Sequence, residues 1–195
     1  LRKDVNILSG VNGIGKSSIL NSSVRRLNEN NEVELTNGIK DIVTFTFSPE
    51  DADFIPFDVI RSFDRPLIDF GLLKKIGDQD VRTELDWQLY QLQRRYLDYQ
   101  VNIGNRIIEL LTRGDPEKQM MAAEISKPKT KFQDLIDELF AETGKKINRR
   151  SNEILFEQDG DILTPYKLSS GEKQMLVILL TVLVQDNAHC ALFMD

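Results

Sequence analysis

Eight consecutive residues near the start of the chain, Gly10 to Ser17, constrain its fold more than any other stretch. They read Gly-Val-Asn-Gly-Ile-Gly-Lys-Ser and match the pattern G-x-x-x-x-G-K-[ST] at every fixed position. The glycines at 10, 13 and 15 lack a Cβ, so the backbone N–H groups of this loop can close around phosphate oxygens. Lys16 would place a positive charge on the β- and γ-phosphates, and the Ser17 hydroxyl would complete a Mg²⁺ shell.

The residues on either side of this loop fit a strand, a loop and a helix in that order. Asp4 to Leu8 reads as a short strand that leads into the loop. Ser18 to Leu27 reads as a helix whose apolar residues recur on one face. The N-terminus of that helix would point at the bound phosphates. A glycine-rich turn that matches the pattern by chance is the alternative, but it does not explain the neighbouring elements.

Composition places the chain among ordinary globular proteins. Its 195 residues suit one domain with room for an inserted subdomain, and a hydrophobic fraction of 41% supports a core. The formal net charge of −6 gives no global attraction to nucleic acid or membranes. The most apolar stretch, 176–184, is too short to span a membrane. Cys190 is the only cysteine, which excludes an internal disulfide and predicts a reducing, cytoplasmic location.

The middle of the chain carries the pattern of a long helix. Apolar side chains recur at 4-3-4-3-4 spacing, the seam of a coiled coil or helical bundle; they are Leu85, Leu89, Leu92, Tyr96, Tyr99 and Ile103. The helix is predicted over 83–111 and ends before Gly114-Asp115-Pro116. A second helix is predicted over 131–140. Together they predict an antiparallel helical hairpin, which is either a projecting arm or a lobe packed on the sheet.

Strands are predicted on both sides of this hairpin. The alternation over 39–47 indicates a strand, and residues 58–63 read as another strand. Segments 153–157 and 161–164 flank Asp159-Gly160, the turn chemistry of a β-hairpin. Residues 190–194 predict a fully buried strand that contains Cys190, with a reactive thiol as the alternative. The basic cluster 145–150 predicts a solvated face or, alternatively, a contact with a phosphate backbone.

A second segment has the features of a helix N-terminus that could bind an anion. Residues 168–174 read Leu-Ser-Ser-Gly-Glu-Lys-Gln. Ser169 or Ser170 can cap the helix, and Gly171 allows close approach of another backbone or ligand. Glu172 stands three residues after Ser169, as in a capping box. On these residues alone, any capped helix is an adequate interpretation.

The three segments in their order resemble the head of an ABC-type ATPase. Residues 10–17 resemble the Walker A loop of that family, 168–174 resemble its L-S-G-G-Q signature, and the strand that ends at Asp195 resembles its Walker B motif. The resemblance implies an α/β fold of the P-loop NTPase class, an ABC-ATPase-like sheet with an inserted helical hairpin. It implies an N-terminal lobe over 1–70, a helical insertion over 71–150 and a C-terminal lobe over 151–195. We expect the sequence to be a fragment, truncated at both ends.

Within that family, the Ser-Ser-Gly-Glu-Lys-Gln form and the helical insertion resemble the soluble SMC and RecF-like ATP-binding proteins. The resemblance implies a role in DNA repair, chromosome maintenance or defence, with DNA or a protein as partner. A transporter ATP-binding subunit is the alternative, which the length of the insertion disfavours. An ATP-dependent clamp or scaffold with little turnover is another. A small-molecule kinase is a further alternative, but it would not explain residues 168–174.

The resemblance also implies the ligands and their residues. ATP and Mg²⁺ are the expected cofactors, with Lys16 and Asp195 as catalytic residues and Ser17 and Asp195 as metal ligands. Ser169 and Gly171 would contact the γ-phosphate of ATP on a second copy, so two chains would pair head to tail as a homodimer. The remaining nucleotide-binding residues would be Asn12, Gly13, Ile14, Gly15, Lys16, Ser17 and Ser18.

The sequence departs from the family pattern in three places. The catalytic glutamate of the family follows the Walker B aspartate, and Asp195 is the last residue. The family's switch histidine lies further along the chain, so His189 does not take that role. Gln79 and Asp64 match the family's magnesium-sensing glutamine by position only. We therefore expect this fragment to bind ATP and to hydrolyse it weakly.

Overall fold

The computed structural model describes residues 6–29, 43, 45, 55–61, 66, 80–112, 115–186, 188 and 190–194. The chain divides into two compact units, which are described separately. The first comprises Leu1–Ile60 with His189–Asp195, and the second comprises Arg61–Ala188. These bounds differ from 1–70, 71–150 and 151–195, and the three-part division stays a prediction.

The first unit contains one helix and a pair of parallel strands among its described residues. Helix α1 runs over Lys16–Glu29. Strand β1, Phe57–Ile60, pairs in parallel with the last strand, β5, Ala191–Met194, and Phe57 lies opposite Ala191. The Phe57 and Phe193 rings meet edge to face at 6.0 Å. Parallel neighbours need a long crossover, and the whole second unit lies between these two strands in sequence.

Two strand predictions in this unit need correction. The predicted strand over 4–8 is wrong for the described residues 6–8, which form no strand and leave Ile7 86% exposed. An apolar pattern becomes a strand only where a neighbour supplies hydrogen bonds, and no described strand pairs with 6–8. The strand predicted over 190–194 begins at Ala191 and is not fully buried, since Leu192 and Met194 are 38% and 57% exposed. Cys190 precedes the strand and is half-buried.

The other two strand predictions for this part of the sequence have different outcomes. The strand predicted over 58–63 overlaps β1, which begins one residue earlier and ends at Ile60. The strand predicted over 39–47 lies outside the described residues except at positions 43 and 45, so it stays a prediction.

The second unit is built around a helical hairpin. Helix α2 runs over Glu84–Thr112, so the prediction of 83–111 is confirmed to within one residue. All six apolar seam residues from Leu85 to Ile103 are buried. Helix α3 runs over Pro116–Leu139 and packs against α2. Lys129 of α3 donates to Gln100 of α2, as expected for an antiparallel pair joined by residues 113–115.

Helix α3 begins 15 residues earlier than the predicted residue 131. Asp115 is its N-cap, and the Asp115 side chain accepts a hydrogen bond from the N–H of Glu117 at 3.1 Å. Pro116 follows at the first helical position, where its missing N–H costs nothing. The Asp-Pro pair therefore both separates the two helices and starts the second one. Pro128 lies inside α3.

Helix α4, Ser170–Val184, packs against α2 and α3. Its buried face includes Leu176, Val177 and Leu180. Just beyond the C-terminal end of α4, Asp186 forms an ion pair with Arg106 of α2 at 2.7 Å. The hairpin is thus held along α4, while its distal end exposes Ile108 and Met120.

A small antiparallel sheet completes the second unit. It contains β2, Lys146–Ile147, β3, Phe156–Gln158, and β4, Asp161–Leu163, in that order. Asp159 and Gly160 connect β3 to β4 with φ of 52° and 89°, which confirms the predicted hairpin turn. The first predicted strand, 153–157, is wrong at its start, since β3 begins only at Phe156. The side chain of Gln93 on α2 both donates to and accepts from the backbone of Ile154, fixing the sheet to the long helix.

Candidate functional site

The glycine-rich loop has the backbone conformation that its sequence requires. Gly13 and Gly15 have φ of +84° and +97°, in the left-handed region that residues with a Cβ rarely adopt. A Cβ added at Gly10 would lie 3.0 Å from Cγ2 of Ile14. Helix α1 begins directly after Gly15, and the N–H of Ile19 already donates to Gly15 O at 3.0 Å. The loop therefore ends at a helix N-terminus, where backbone N–H groups and the helix dipole favour an anion.

Lys16 folds back across the loop that precedes it. Its Nζ donates to the carbonyl oxygens of Gly10 at 2.8 Å and Val11 at 3.0 Å. The ammonium group is thereby held over the loop, beside the start of α1. Charge-assisted hydrogen bonds to phosphate oxygens are stronger than those to neutral carbonyls, so a bound phosphate could draw part of this side chain away.

The remaining predicted residues of the loop lie at the surface. Gly15 is half-buried, and the exposed ones are Asn12, Gly13, Ile14, Ser17 and Ser18. The structure thus brings Asn12 to Ser18 together around one open loop. Their role in nucleotide binding stays a prediction.

The other half of the predicted metal site falls outside the described residues. Asp195, Gln79 and Asp64 all lie there, and their predicted roles stay predictions; His189, to which no role was assigned, lies there as well. Within the described ranges, no group of three or more His, Cys, Asp or Glu side chains could hold a metal ion.

The second candidate region is the start of helix α4. Ser169 is its N-cap, with extended backbone at φ −63° and ψ 158°. The Ser169 hydroxyl accepts from the N–H of Glu172 at 3.4 Å, and Glu172 Oε2 accepts from the N–H of Ser169 at 2.8 Å. The predicted capping box is confirmed, with Ser169 rather than Ser170 as the cap.

Glu172 is also bound from outside its helix. Its Oε1 accepts hydrogen bonds from Lys145 Nζ at 2.9 Å and from Thr143 Oγ1 at 2.8 Å. The Glu172 and Lys145 side chains are only 11% and 12% exposed. Burial opposes the charge on Glu172, but the hydrogen bonds from Lys145, Ser169 and Thr143 outweigh burial and lower the pKa of Glu172 to about 2.

Lys173 makes a second buried contact one residue later. Its Nζ lies 2.8 Å from Oδ1 of Asp86, near the start of α2, and the two side chains are 9% and 3% exposed. The contact is an ion pair rather than an aligned hydrogen bond, since Asp86 Oδ1 has no hydrogen-bond partner among the described residues. Asp86 Oδ2 accepts from the N–H groups of Arg82 and Thr83, both at 3.0 Å.

While Glu172 and Lys173 are anchored, the residues before them are open. Ser169, Ser170 and Gly171 are exposed. A Cβ added at Gly171 would meet no atom of the described structure within 4 Å, and Gly171 does not have positive φ. Glycine in a helix is destabilising by roughly 0.5–1 kcal/mol relative to alanine, so the described fold does not itself require glycine here.

Two of the four basic side chains in the cluster 145–150 are paired with acidic neighbours. Lys145 is paired with Glu172. Arg149 is paired with Asp134 at 2.8 Å and with Asp137 at 2.6 Å. These contacts favour the interpretation of 145–150 as a structural and solvated face over a phosphate-backbone contact.

Asp86 and Lys145 also belong to this region, although neither was predicted from the sequence to lie there. One local signal was present for Asp86, because Thr83-x-x-Asp86 has the spacing of a capping box, and the N–H of Asp86 donates to Thr83 Oγ1 at 3.2 Å. No local pattern links Asp86 to Lys173 or Lys145 to Glu172, since each pair joins distant parts of the sequence.

No described helix has both the length and the apolar character needed to cross a membrane. A comparison of the chain with protein-family models, curated proteins and solved structures finds no match.

Proposed function

We propose that this chain is an ATP-binding protein of the ABC-ATPase type, with a P-loop NTPase fold. The loop 10–17 binds the phosphates of ATP with Mg²⁺. Ser169 to Gly171 of a second copy then contact the γ-phosphate, so that two chains pair head to tail in the presence of ATP. Hydrolysis removes that contact and releases the pair.

One observation carries the proposal. Lys16 stands at the first position of a helix, directly after a loop with two glycines of positive φ, and is held over that loop by two of its carbonyl oxygens. This arrangement combines a glycine-rich loop, a helix N-terminus and a positive charge held beside them, which together favour the binding of a phosphate.

The signature region supports the second half of the proposal. Gly171 is exposed, and no atom of the described structure lies within 4 Å of the position that a Cβ would occupy there. A ligand or a second chain could therefore approach the backbone at Gly171 closely. A γ-phosphate that approaches the helix N-terminus would meet the N–H groups of the first turn and the Ser169 hydroxyl. Magnesium would neutralise charge on the β- and γ-phosphates, while the chain's residues hold and orient them.

The packing of α4 suggests what ATP-driven pairing could move. Helix α4 starts in the signature region and packs along the helical hairpin. A change in the position of Ser169 to Gly171 would therefore also shift α2 and α3. We propose that the hairpin acts on DNA or a protein partner in this way.

Sedimentation and binding experiments on the full chain test the proposal. Binding of fluorescent ATP is measured first, then the mass in solution without nucleotide, with ADP, and with a slowly hydrolysed ATP analogue and Mg²⁺. We expect a dimer only with the analogue. Gly171→Ala should bind ATP normally but stay monomeric, because its new methyl group blocks the approach of the γ-phosphate.

Gly104→Ala is the matched control. Gly104 also lies in a helix, and a Cβ there also meets no atom of the described structure within 4 Å. It should dimerise like the wild type. If the wild type binds ATP and no condition yields a dimer, the pairing proposal is wrong and only a nucleotide-binding module remains. If ATP does not bind, the whole proposal is wrong.

A further inference from the structure

Helix α2 carries a second row of residues at coiled-coil spacing, on the side away from its buried seam. The row has 3-4-3-4-3 spacing, and we call it the outer seam; its members are Arg94, Leu97, Val101, Gly104, Ile108 and Leu111. At 3.6 residues per turn, the outer seam lies about 130° around the helix from the buried one. A repeat of 3.5 residues is the pattern that allows one helix to pack along another.

The distal half of the outer seam is apolar and open to solvent. Val101, Ile108 and Leu111 are 61%, 63% and 49% exposed. Single apolar side chains on a surface are normal, but these three recur on one face over about 15 Å of helix. A continuous apolar strip of this kind is typical of an interaction site.

Gly104 lies in the middle of this strip. Glycine inside a helix is destabilising relative to alanine, and a Cβ at Gly104 would meet no atom of the described structure within 4 Å. The described packing therefore does not require glycine at this position. The missing side chain instead allows the backbone of a second helix to come close between Val101 and Ile108.

Arg94 supplies the one charge of the outer seam. Its guanidinium carbon lies 4.8 Å from the centre of the Tyr90 ring, and the guanidinium donates a hydrogen bond to the Tyr90 hydroxyl. No carboxylate of the described residues forms an ion pair with Arg94. Covering an unpaired guanidinium with an apolar helix would be unfavourable, whereas a carboxylate at the facing position can bind it through two parallel hydrogen bonds.

The two ends of the outer seam together favour a protein over DNA as the partner of this surface. Arg94 alone could contact a phosphate group. Val101, Ile108 and Leu111 would then face a largely charged backbone, which buries little apolar surface. An amphipathic helix satisfies both ends, because its own apolar repeat matches the strip and one acidic residue matches Arg94.

We propose that the outer seam binds an amphipathic helix of a protein partner, which carries apolar residues at 3.5-residue spacing and a carboxylate opposite Arg94. The surface belongs to the single chain. The inference therefore goes beyond the proposed function and requires no nucleotide.

Labelled synthetic helices of about 21 residues test this inference, since the outer seam spans about 25 Å. Each peptide has leucine at its seam positions. Glutamate replaces the first of these leucines in one peptide and the last in another, because Arg94 ends the seam and the two peptides cover both directions of the partner helix. The same peptides with lysine in place of glutamate are the matched controls. Fluorescence anisotropy measures their binding to the nucleotide-free chain.

We expect one glutamate peptide to bind roughly ten-fold more tightly than its lysine counterpart. Arg94→Glu should reverse that preference, which a loss of folding cannot do. Ile108→Lys should weaken binding roughly ten-fold, and Gly104→Ala should weaken it less. Ile162→Lys is the control, since Ile162 is also exposed, at 53%, but lies in the small sheet. It should leave the affinity unchanged.

Equal binding of glutamate and lysine peptides to the wild type, or binding of none, overturns the inference. A DNA duplex that binds through Arg94 while no peptide binds also overturns it, as does a nucleotide-free chain that dimerises through Ile108. Arg94→Glu and Ile108→Lys should bind ATP and pair like the wild type. If the peptide binds as expected and ATP does not bind, the inference stands and only the proposed function is wrong.

Discussion

The phosphate-binding candidate and the signature candidate both start a helix at an open surface, but they are held in different ways. Lys16 contacts carbonyl groups only five and six residues away. Glu172 and Lys173 instead contact Lys145 and Asp86, which belong to other elements. The first site is a product of its local sequence, and the second exists only when the second unit is folded. The same type of substitution should therefore have different consequences in the two regions.

The largest expected difference concerns one substitution made at both lysines. Lys173→Met should lower the free energy of unfolding by about 3–5 kcal/mol, because Asp86 is left charged and unpaired in a buried position. Lys16→Met should lower it by about 1 kcal/mol or less, because it removes two hydrogen bonds at an exposed loop. Urea titrations followed by far-ultraviolet circular dichroism give both values. Equal losses would show that the two regions are held alike.

The next effect is a pH dependence specific to the signature region. The pKa of Glu172 is lowered from 4.5 to about 2 in the folded chain, so its charge contributes on the order of 3 kcal/mol above pH 4.5. That contribution should disappear as the pH falls from 4.5 to 2. The difference in unfolding free energy between wild type and Glu172→Gln should shrink over that interval. A difference that stays constant down to pH 2 would contradict the assignment of the lowered pKa to Glu172.

For ATP affinity, unlike stability, substitution of Lys16 should have a larger effect than substitution of Lys173. Lys16→Met should weaken ATP binding on the order of 100-fold, because a charge-assisted contact with phosphate is lost. Lys146→Met is the control, since Lys146 is exposed and lies in the small sheet of the second unit. It should leave affinity unchanged. Titration calorimetry measures both, and an unaffected Lys16→Met would remove the loop from the nucleotide site.

The smallest effects distinguish the glycines of the two regions. Gly15→Ala forces a Cβ into φ +97° and should cost about 1–2 kcal/mol. Gly171→Ala places a methyl group in open space and should raise stability by up to about 1 kcal/mol. Scanning calorimetry of the two variants and the wild type shows whether each substitution lowers or raises the stability. A destabilising Gly171→Ala would mean that the fold itself requires that glycine.

The predictions from sequence that succeeded concern local structure. The bounds of α2, its buried seam, the Asp159-Gly160 turn and the Ser169 capping box were all predicted. Each follows from interactions within a few residues, where periodicity, positive φ and capping chemistry are visible in the sequence. The start of α3 also had a local signal, Asp115-Pro116, which was interpreted only as a stop.

The predictions that failed required knowledge of neighbours. Residues 6–8 have the apolar pattern of a strand, but no described strand pairs with them. The last strand was predicted to be fully buried from its run of apolar residues, yet one of its faces is exposed. A pattern gives the character of a side chain, whereas burial depends on whether another layer covers that face.

The sequence by itself determined the local geometry: a glycine loop before a helix, a long helix with one buried seam, and a capped helix at Ser169. Only the tertiary structure decided that Lys173 meets Asp86 and that Lys145 meets Glu172. The physical reason is that capping and turn conformations are set by bonds and sterics among adjacent residues. A buried charge finds its partner only when packing brings distant segments together, and no short pattern records that meeting.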